Sequence, residues 1–144
     1  MIDNNLHVTV EEAERSYIFK VIKKVLSKTF PWFIDAYVDS DDINRYKTIF
    51  LILEINPFIM MEEYGWSILE NVRYYNIESG RAREIPTLDF IFDISPEEAT
   101  QFQYKIREVI WSVSNSKVIP DELKVKDGER GWSICGYVVP PISE

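Results

Sequence analysis

The fold class is indicated by residues 88–98, which read Leu88-Asp89-Phe90-Ile91-Phe92-Asp93-Ile94-Ser95-Pro96-Glu97-Glu98. Apolar and acidic residues alternate in the first half, and a period of two predicts a strand with one apolar face. The second half has the signals of a helix start, with Ser95 as a capping acceptor, Pro96 where no donor is needed, and Glu98 closing a capping box. A strand that leads directly into a helix predicts a mixed α+β domain.

Helical periodicity predicts two amphipathic helices. The first covers about residues 10–28 and opens with a capping box of Thr9 and Glu12. Its apolar stripe consists of Ile18, Val21, Ile22, Val25 and Leu26. The second covers about residues 96–114, with a stripe of Ala99, Phe102, Ile106, Val109, Ile110 and Val113. Each helix therefore has one face suited to packing on a sheet.

The remaining segments predict strands. Residues 48–55 are apolar on both faces, as in a central strand, whereas residues 32–38 fit either a short strand or an aromatic loop. Residues 58–77 are ambiguous, because Pro57 can begin a helix while the later composition favours a hairpin of 66–77 with 83–94. Two further strands, 122–127 and 131–139, are joined by Asp127-Gly128 in a hairpin.

These elements give the order α-β-β-β-α-β-β. The prediction is a mostly antiparallel sheet with two amphipathic helices packed on it. One domain of residues 1–144 suits the length of 144 residues, with a frayed N-terminus over 1–8 and a C-terminal tail over 140–144.

Charge is both strongly acidic and unevenly distributed. The formal net charge is −8 and the isoelectric point is near 4.7, which disfavours nucleic acid and anionic membranes as partners. Residues 15–28 nevertheless contain only basic charges, namely Arg15, Lys20, Lys23, Lys24 and Lys28. The N-terminus is acidic and polar without a signal peptide, so we expect a soluble protein of the cytoplasm.

Residues that support catalysis are scarce. His7 is the single histidine and Cys135 the single cysteine, which leaves no internal disulfide and no Cys/His zinc spacing. The acidic run of Asp39, Asp41 and Asp42 lacks the glycine and the closing glutamate of a calcium loop. We therefore predict no catalytic, cofactor-binding or metal-binding residues, and a protein that is not an enzyme.

Two groups of charged residues leave alternatives open. Glu54, within the apolar strand, either lies at the strand's end in water or is a buried acid with a raised pKa. Arg81 and Arg83 either bind a phosphate or carboxylate or decorate a hairpin tip.

The aromatic residues exceed what one small core can hold, and they favour a protein–protein interface. They include Trp32, Phe33, Tyr37, Trp66, Tyr74, Tyr75, Tyr104, Trp111, Trp132 and Tyr137. A basic helix on an acidic body predicts contact with a second copy of the chain. The predicted contact residues are Lys20, Lys23, Lys24 and Lys28, opposite Asp39, Asp41 and Asp42, with Tyr104 and Trp111 as apolar anchors. The alternative is a solvated lysine face, with the aromatic residues packed under loops.

The order of four pieces resembles that of the tail-terminator, or tail-completion, proteins of tailed bacteriophages. The pieces are residues 10–28, residues 48–55, the run Thr87-Leu88-Asp89-Phe90-Ile91-Phe92-Asp93-Ile94 leading into 96–114, and Gly131-Trp132-Ser133-Ile134-Cys135-Gly136-Tyr137-Val138-Val139. The resemblance implies a ring-forming virion subunit, often a hexamer, that caps the tail tube and joins it to the head. Its partners would be itself and other virion proteins.

The resemblance leaves one segment without a counterpart and does not exclude other classes of binding protein. The segment Met60-Met61-Glu62-Glu63-Tyr64-Gly65-Trp66 departs from the element order of the tail-terminator proteins. The order also looks like that of small acidic dimeric secretion chaperones. An immunity-type inhibitor that masks a basic toxin is a third binding function compatible with the charge.

Overall fold

The computed structural model of the protein describes residues 10–39, 48–69, 87–114 and 131–140. The elements in these ranges are α1 (Val10–Arg15), α2 (Tyr17–Thr29), β1 (Phe33–Val38), β2 (Thr48–Ile55), α3 (Pro57–Tyr64), a 3₁₀ turn (Leu88–Phe90), α4 (Pro96–Ser114) and β3 (Gly131–Val138). The fold is α+β, as predicted. The order of the described elements differs from the predicted order at several points.

The described strands form one mixed sheet in the order β1-β2-β3. Strands β1 and β2 are antiparallel, with Ala36 opposite Leu53, whereas β2 and β3 are parallel, with Leu51 opposite Ile134. The prediction of a mostly antiparallel sheet is therefore wrong. Between β2 and β3 the chain passes through α4, and a helical crossover of this kind allows the second strand to run parallel to the first. The predicted strand 122–127 lies outside the described residues.

The central position of β2 is confirmed. Leu51, Ile52 and Leu53 are consecutive and each is at most 2% exposed, so both faces of the strand are covered. Helices α2 and α4 contact each other, α2 also contacts β1, and α4 also contacts β3. The buried apolar residues of the helices are Ile18, Phe19, Ile22 and Leu26 in α2, and Ala99, Phe102, Ile106, Ile110 and Val113 in α4. The predicted apolar stripes therefore form the helical side of the core.

The single helix predicted over 10–28 is divided at Ser16. This residue has extended backbone angles, φ −66° and ψ 152°. Its hydroxyl accepts the Phe19 N–H at 3.2 Å and donates to the Ala13 carbonyl at 2.7 Å. Ser16 thus caps the start of α2 and bonds to the end of α1. Thr9, expected to pair with Glu12 in a capping box, lies outside the described residues.

The strand predicted immediately before α4 is wrong where the structure describes it. The N–H groups of Ile91 and Phe92 both bond to the Leu88 carbonyl, at 3.0 and 2.8 Å, which closes a turn. Leu88, Ile91 and Phe92 are fully buried, whereas Phe90 is 66% exposed. This burial has a spacing of three and four residues, not two, because the turn directs those three side chains into the core. Phe92 retains an isolated antiparallel bridge with Ile68.

The ambiguous segment 58–77 begins with α3, which ends at Tyr64, before the favoured hairpin of 66–77 with 83–94 begins. An antiparallel bridge between Ile68 and Phe92 joins these two predicted strands. Asn56 Oδ1 accepts the N–H groups of Phe58 at 3.0 Å and Ile59 at 3.2 Å. Pro57 occupies the first turn of α3, where its missing N–H leaves no intrahelical bond unmade. Residues 70–86, which include Arg81 and Arg83, lie outside the described residues.

Helix α4 begins and ends as predicted, at Pro96 and Ser114. The Ser95 hydroxyl accepts the Glu98 N–H at 3.1 Å, which is the expected cap. The carboxylate of Glu98 was expected to complete a capping box, but it accepts a hydrogen bond from the Trp66 indole. This contact links the segment after α3 to the first turn of α4.

Candidate protein-binding site

Tyr64 and Trp66, at and just after the end of α3, pack against Phe102 of α4. The ring centroids are 4.9 Å apart for Tyr64 and Trp66, 5.0 Å for Tyr64 and Phe102, and 5.1 Å for Trp66 and Phe102. Both pairs that include Phe102 are edge-to-face, an arrangement that the charge distribution of aromatic rings favours. Trp32 extends the cluster, with its ring centroid 5.8 Å from that of Phe102. The cluster holds the end of α3 against α4.

Gly65 directs Trp66 towards α4. It ends α3 with a left-handed backbone conformation at φ 72°, and its N–H bonds to the Met61 carbonyl at 2.9 Å. Only glycine adopts this conformation without a steric penalty, which is why it so often follows the last residue of a helix. The resulting change of chain direction brings Trp66 next to Phe102.

Two hydrogen bonds orient the aromatic rings. The Trp66 indole donates to Glu98 Oε2 at 3.1 Å, and the Trp32 indole donates to the Tyr64 hydroxyl oxygen at 3.0 Å. Burial raises the pKa of Tyr64; the bond from Trp32 opposes this shift and Glu63 adds to it. The raised pKa keeps the Tyr64 hydroxyl protonated at pH 7.

A cleft of about 260 Å³ opens over this cluster. It is lined by Tyr64, Trp66, Glu98, Gln101, Phe102 and Lys105. The aromatic residues form its floor, since Trp66 and Phe102 are less than 10% exposed. Glu98, Gln101 and Lys105 are exposed polar residues on one side of α4. The cleft thus combines an apolar base with a charged rim.

The exposed face of α3 continues this apolar surface. Phe58 is 52% exposed, Met61 38% and Tyr64 37%, and their spacing of three residues places each beside the next on the helix. Glu62 and Glu63 are exposed on the same helix. We call Met61 and Glu63 of α3, which lie beside Tyr64, together with the six cleft residues the acidic aromatic groove.

The predicted lysine contacts separate into two groups. Lys20, Lys24 and Lys28 are exposed on α2. Lys23 is half-buried, and its ammonium lies 2.7 Å from Asp35 Oδ1 and 5.4 Å from the ring centroid of Phe19. Lys23 therefore binds within its own subunit, whereas the other three lysines face solvent.

The structure describes one of the acidic residues predicted to oppose the lysines, and it is nearly buried. Asp39 is 9% exposed, and one carboxylate oxygen accepts the Cys135 thiol at a sulfur–oxygen distance of 3.3 Å. Asp41 and Asp42 lie outside the described residues. Glu54 is half-buried one residue before the end of β2, where Oε1 accepts the Tyr37 hydroxyl at 2.9 Å. Burial and this hydrogen bond raise the pKa of Tyr37.

The predicted apolar anchors are exposed on α4. Tyr104 is 55% exposed and Trp111 67%, and their separation of seven residues places them two turns apart on the same side of the helix. The Arg107 guanidinium lies 5.9 Å from the ring centroid of Tyr104. Large exposed aromatic side chains on a well-formed helix are typical of protein interfaces.

Six of the ten aromatic residues predicted to exceed the core are buried or half-buried within the subunit. Trp32, Trp66 and Tyr137 are buried in the core, and Phe33, Tyr37 and Trp132 are half-buried. Tyr74 and Tyr75 lie outside the described residues. Of the aromatic residues considered, Tyr104 and Trp111 are the ones that the described part of the chain exposes.

Comparisons with known proteins give no relative. No protein-family model matches the chain, and neither a curated protein nor a solved structure matches it. Within the described ranges, no group of three or more histidine, cysteine, aspartate or glutamate residues is placed to hold a metal ion. None of the described helices combines the length and apolar character needed to cross a bilayer.

Sequence reasoning missed the acidic aromatic groove, although it noted that residues 60–66 did not read as a strand. The available signals were Asn56-Pro57, which starts a helix, and Gly65, which ends one. No local signal indicates that Trp66 contacts Glu98, which lies 32 residues further along the chain.

Proposed function

We propose that this protein is a non-enzymatic assembly subunit that forms a closed homo-oligomer. The observation that carries the proposal is the exposure of Tyr104 and Trp111 on α4. Exposing a large aromatic side chain forgoes hydrophobic stabilisation of roughly 2 kcal/mol or more, which burial against a second molecule recovers. Tyrosine and tryptophan are also the residues that most often contribute strongly to binding at interfaces.

The distribution of charge supports contact between identical subunits. The protein has a net charge of −8, yet α2 contains four lysines and no acidic residue. A basic surface on an acidic molecule is complementary to the rest of that molecule, and such complementarity favours association in a defined orientation. A contact between two different surfaces of the same chain generates a ring when its rotation closes.

The particular form of the proposal is a phage tail-terminator or neck subunit that joins tail tube to head, and it comes from the resemblance alone. Its support is the predicted first helical region, the central strand β2, helix α4 and the closing strand β3. Two of the elements quoted for the resemblance differ, because Leu88–Phe90 is a 3₁₀ turn and the helix over 10–28 is divided. The proposal of self-assembly stands independently of the phage assignment.

Light scattering coupled to size-exclusion chromatography tests self-assembly. We expect a defined oligomer at micromolar concentration, and Trp111→Ala should weaken association at least about tenfold, the effect of removing a strong interface residue. Phe90→Ala is the matched control, because Phe90 is 66% exposed on the 3₁₀ turn and Trp111 is 67% exposed on α4. A wild-type protein that stays monomeric at every concentration would refute the proposal.

A dimeric chaperone is the second candidate, and the acidic aromatic groove is the observation that favours it. Chaperones of this kind hold an unfolded segment of another protein along an apolar surface, and the groove has apolar and charged parts. A dimer that binds an unfolded client through the groove would favour this candidate over a ring. A monomer that binds a basic protein tightly would instead favour an immunity-type inhibitor.

A further inference from the structure

We infer that α1 closes the outer edge of β1 and thereby prevents this strand from pairing with β1 of a second copy of the chain. The contact between α1 and β1 is thus autoinhibitory, because it suppresses one way in which two copies could associate. It involves other elements than the α4 surface of Tyr104 and Trp111, so the inference goes beyond the proposed self-assembly and does not rest on it.

Strand β1 has an outer edge, because it lies at the end of the strand order β1-β2-β3 formed by the described residues. The Asp39 N–H bonds to the Phe50 carbonyl of β2 at 2.8 Å. In an antiparallel pair, the N–H groups that point to one neighbour belong to alternate residues. Those of Val38 and Ala36, one and three residues before Asp39, therefore point away from β2. Unpaired groups of this kind are a template for pairing with a strand of another molecule.

Carboxylates of the same chain occupy both of these donors. Glu14 of α1 accepts the Val38 N–H through Oε2 at 2.8 Å. Asp35 Oδ1 accepts the Ala36 N–H at 2.8 Å, and the Lys23 ammonium lies 2.7 Å from the same oxygen. A strand from another molecule can bond to this edge only if its carbonyl groups displace both carboxylates. The edge is therefore closed while Glu14 stays in place.

Helix α1 is held at the edge by a small number of contacts. Ala13 is 2% exposed and belongs to the core, and its carbonyl accepts the Ser16 hydroxyl at 2.7 Å. Glu14 adds the bond to Val38. The helix has six residues, a length at which an isolated helix is not stable in water. Its position therefore depends on these contacts, of which the Glu14 bond is the one made to the edge of β1.

The sequence of β1 is compatible with pairing to itself. In an antiparallel arrangement about a two-fold axis at Ala36, the two Ala36 peptide groups exchange hydrogen bonds across the axis. Asp35, the one charged residue of β1, then lies opposite Tyr37 of the second copy, and Ile34 lies opposite Val38 of the second copy. No like charges face each other directly, which is the arrangement that would oppose pairing. Such a contact uses the same surface on both subunits and closes as a dimer.

Removing the Glu14 carboxylate tests the inference. In a Trp111→Ala background, which weakens the proposed α4 association, Glu14→Ala should tighten self-association at least about tenfold, because a second strand no longer has to displace an internal acceptor. Glu11→Ala is the matched control, since Glu11 is an exposed glutamate of the same helix. Glu14→Gln keeps an acceptor oxygen and should stay close to the control. Sedimentation equilibrium measures association, and circular dichroism verifies folding. Association of Glu14→Ala no tighter than that of Glu11→Ala would overturn the inference.

A second substitution locates the contact. Ile34 is 44% exposed, and a lysine on an edge strand opposes pairing, so adding Ile34→Lys to Glu14→Ala should return association to the level of the control. Association that stays tight would place the contact elsewhere and overturn the inference.

Amide hydrogen exchange gives a readout that does not depend on association. At a concentration where both variants are monomeric, the Val38 amide should exchange faster in Glu14→Ala than in Glu11→Ala, because it has lost its acceptor. Equal exchange would contradict the closing role of Glu14. A wild-type monomer would contradict the proposed self-assembly but not this inference, since a closed edge does not pair.

Discussion

Replacing either of two tyrosines by phenylalanine removes the same single oxygen, yet we expect opposite effects on stability. Tyr137 of β3 is fully buried, and its hydroxyl has no hydrogen-bond partner among the described residues. Burial raises the pKa of this hydroxyl, and the charge of Arg107 partly opposes the shift. Tyr37 of β1 is half-buried and donates to Glu54 at 2.9 Å.

The expected change in the free energy of unfolding for Tyr137→Phe is the sum of one gain and one smaller loss. A buried polar group without a partner costs about 1–3 kcal/mol of desolvation, which the substitution recovers. The space left by one oxygen, on the order of 15 Å³, costs about 0.4 kcal/mol. The ring itself keeps its packing. We therefore expect Tyr137→Phe to raise the free energy of unfolding by about 1 kcal/mol.

The expected change in the free energy of unfolding for Tyr37→Phe has the opposite sign. Hydrogen bonds to charged groups contribute about 1.5–3 kcal/mol when they are buried. Because solvent screens this half-buried pair, we expect a smaller loss of about 1 kcal/mol. The two variants should thus differ from each other by about 2 kcal/mol in the free energy of unfolding, the sum of the two effects.

Urea unfolding at pH 7 measures this difference. The dependence of the free energy on urea should be the same in both variants, since neither changes the surface exposed on unfolding appreciably. The reasoning would be refuted if Tyr137→Phe destabilised the protein as much as Tyr37→Phe does. Such a result would mean that the Tyr137 hydroxyl has a partner in solution, for which an internal water between it and the buried Arg107 Nε is the natural candidate.

Two further predictions concern the groove and the alkaline pH dependence. Glu98→Ala should lower the free energy of unfolding by about 1 kcal/mol, because the nearly buried Trp66 indole loses its acceptor. Glu98→Gln keeps an acceptor oxygen and should cost less. Equal losses for the two variants in urea unfolding would contradict this prediction. Tyr37, Tyr64 and Tyr137 all have raised pKa values in the folded state, so above the unfolded value of about 10 the folded protein holds more protons. Their contribution to stability is complete below pH 10 and is lost as pH rises above it, and Tyr137→Phe should reduce the slope of that loss.

The proposed association surface of Tyr104 and Trp111 is apolar, so its contribution to self-association should persist at high salt. Measuring the oligomer across ionic strength tests this expectation without any substitution.

Features determined by neighbouring residues could be predicted from the sequence alone. Helix α4 has the predicted bounds, because Ser95 satisfies the Glu98 N–H within one turn and an apolar stripe runs the length of the helix. Strand β2 was identified because its residues are apolar on both faces, which only a covered strand tolerates. In both cases the deciding hydrogen bonds or side-chain periods lie within a few residues of each other.

Features that depend on distant segments were decided by the tertiary structure. Leu88 and Phe92 have a strand-like pattern in the sequence, but they are buried on a turn in which the N–H groups of Ile91 and Phe92 both bond to the Leu88 carbonyl. The parallel direction of β3 depends on the end of the sheet at which the chain emerges after α4, and the residues of β3 do not determine this. The groove exists because the rings of Trp66 and Phe102, which are 36 residues apart in the sequence, pack edge to face. Local residue patterns were therefore sufficient to predict α4 and the central strand β2. Packing between apolar residues that are distant in the sequence determined the direction of β3 and the groove.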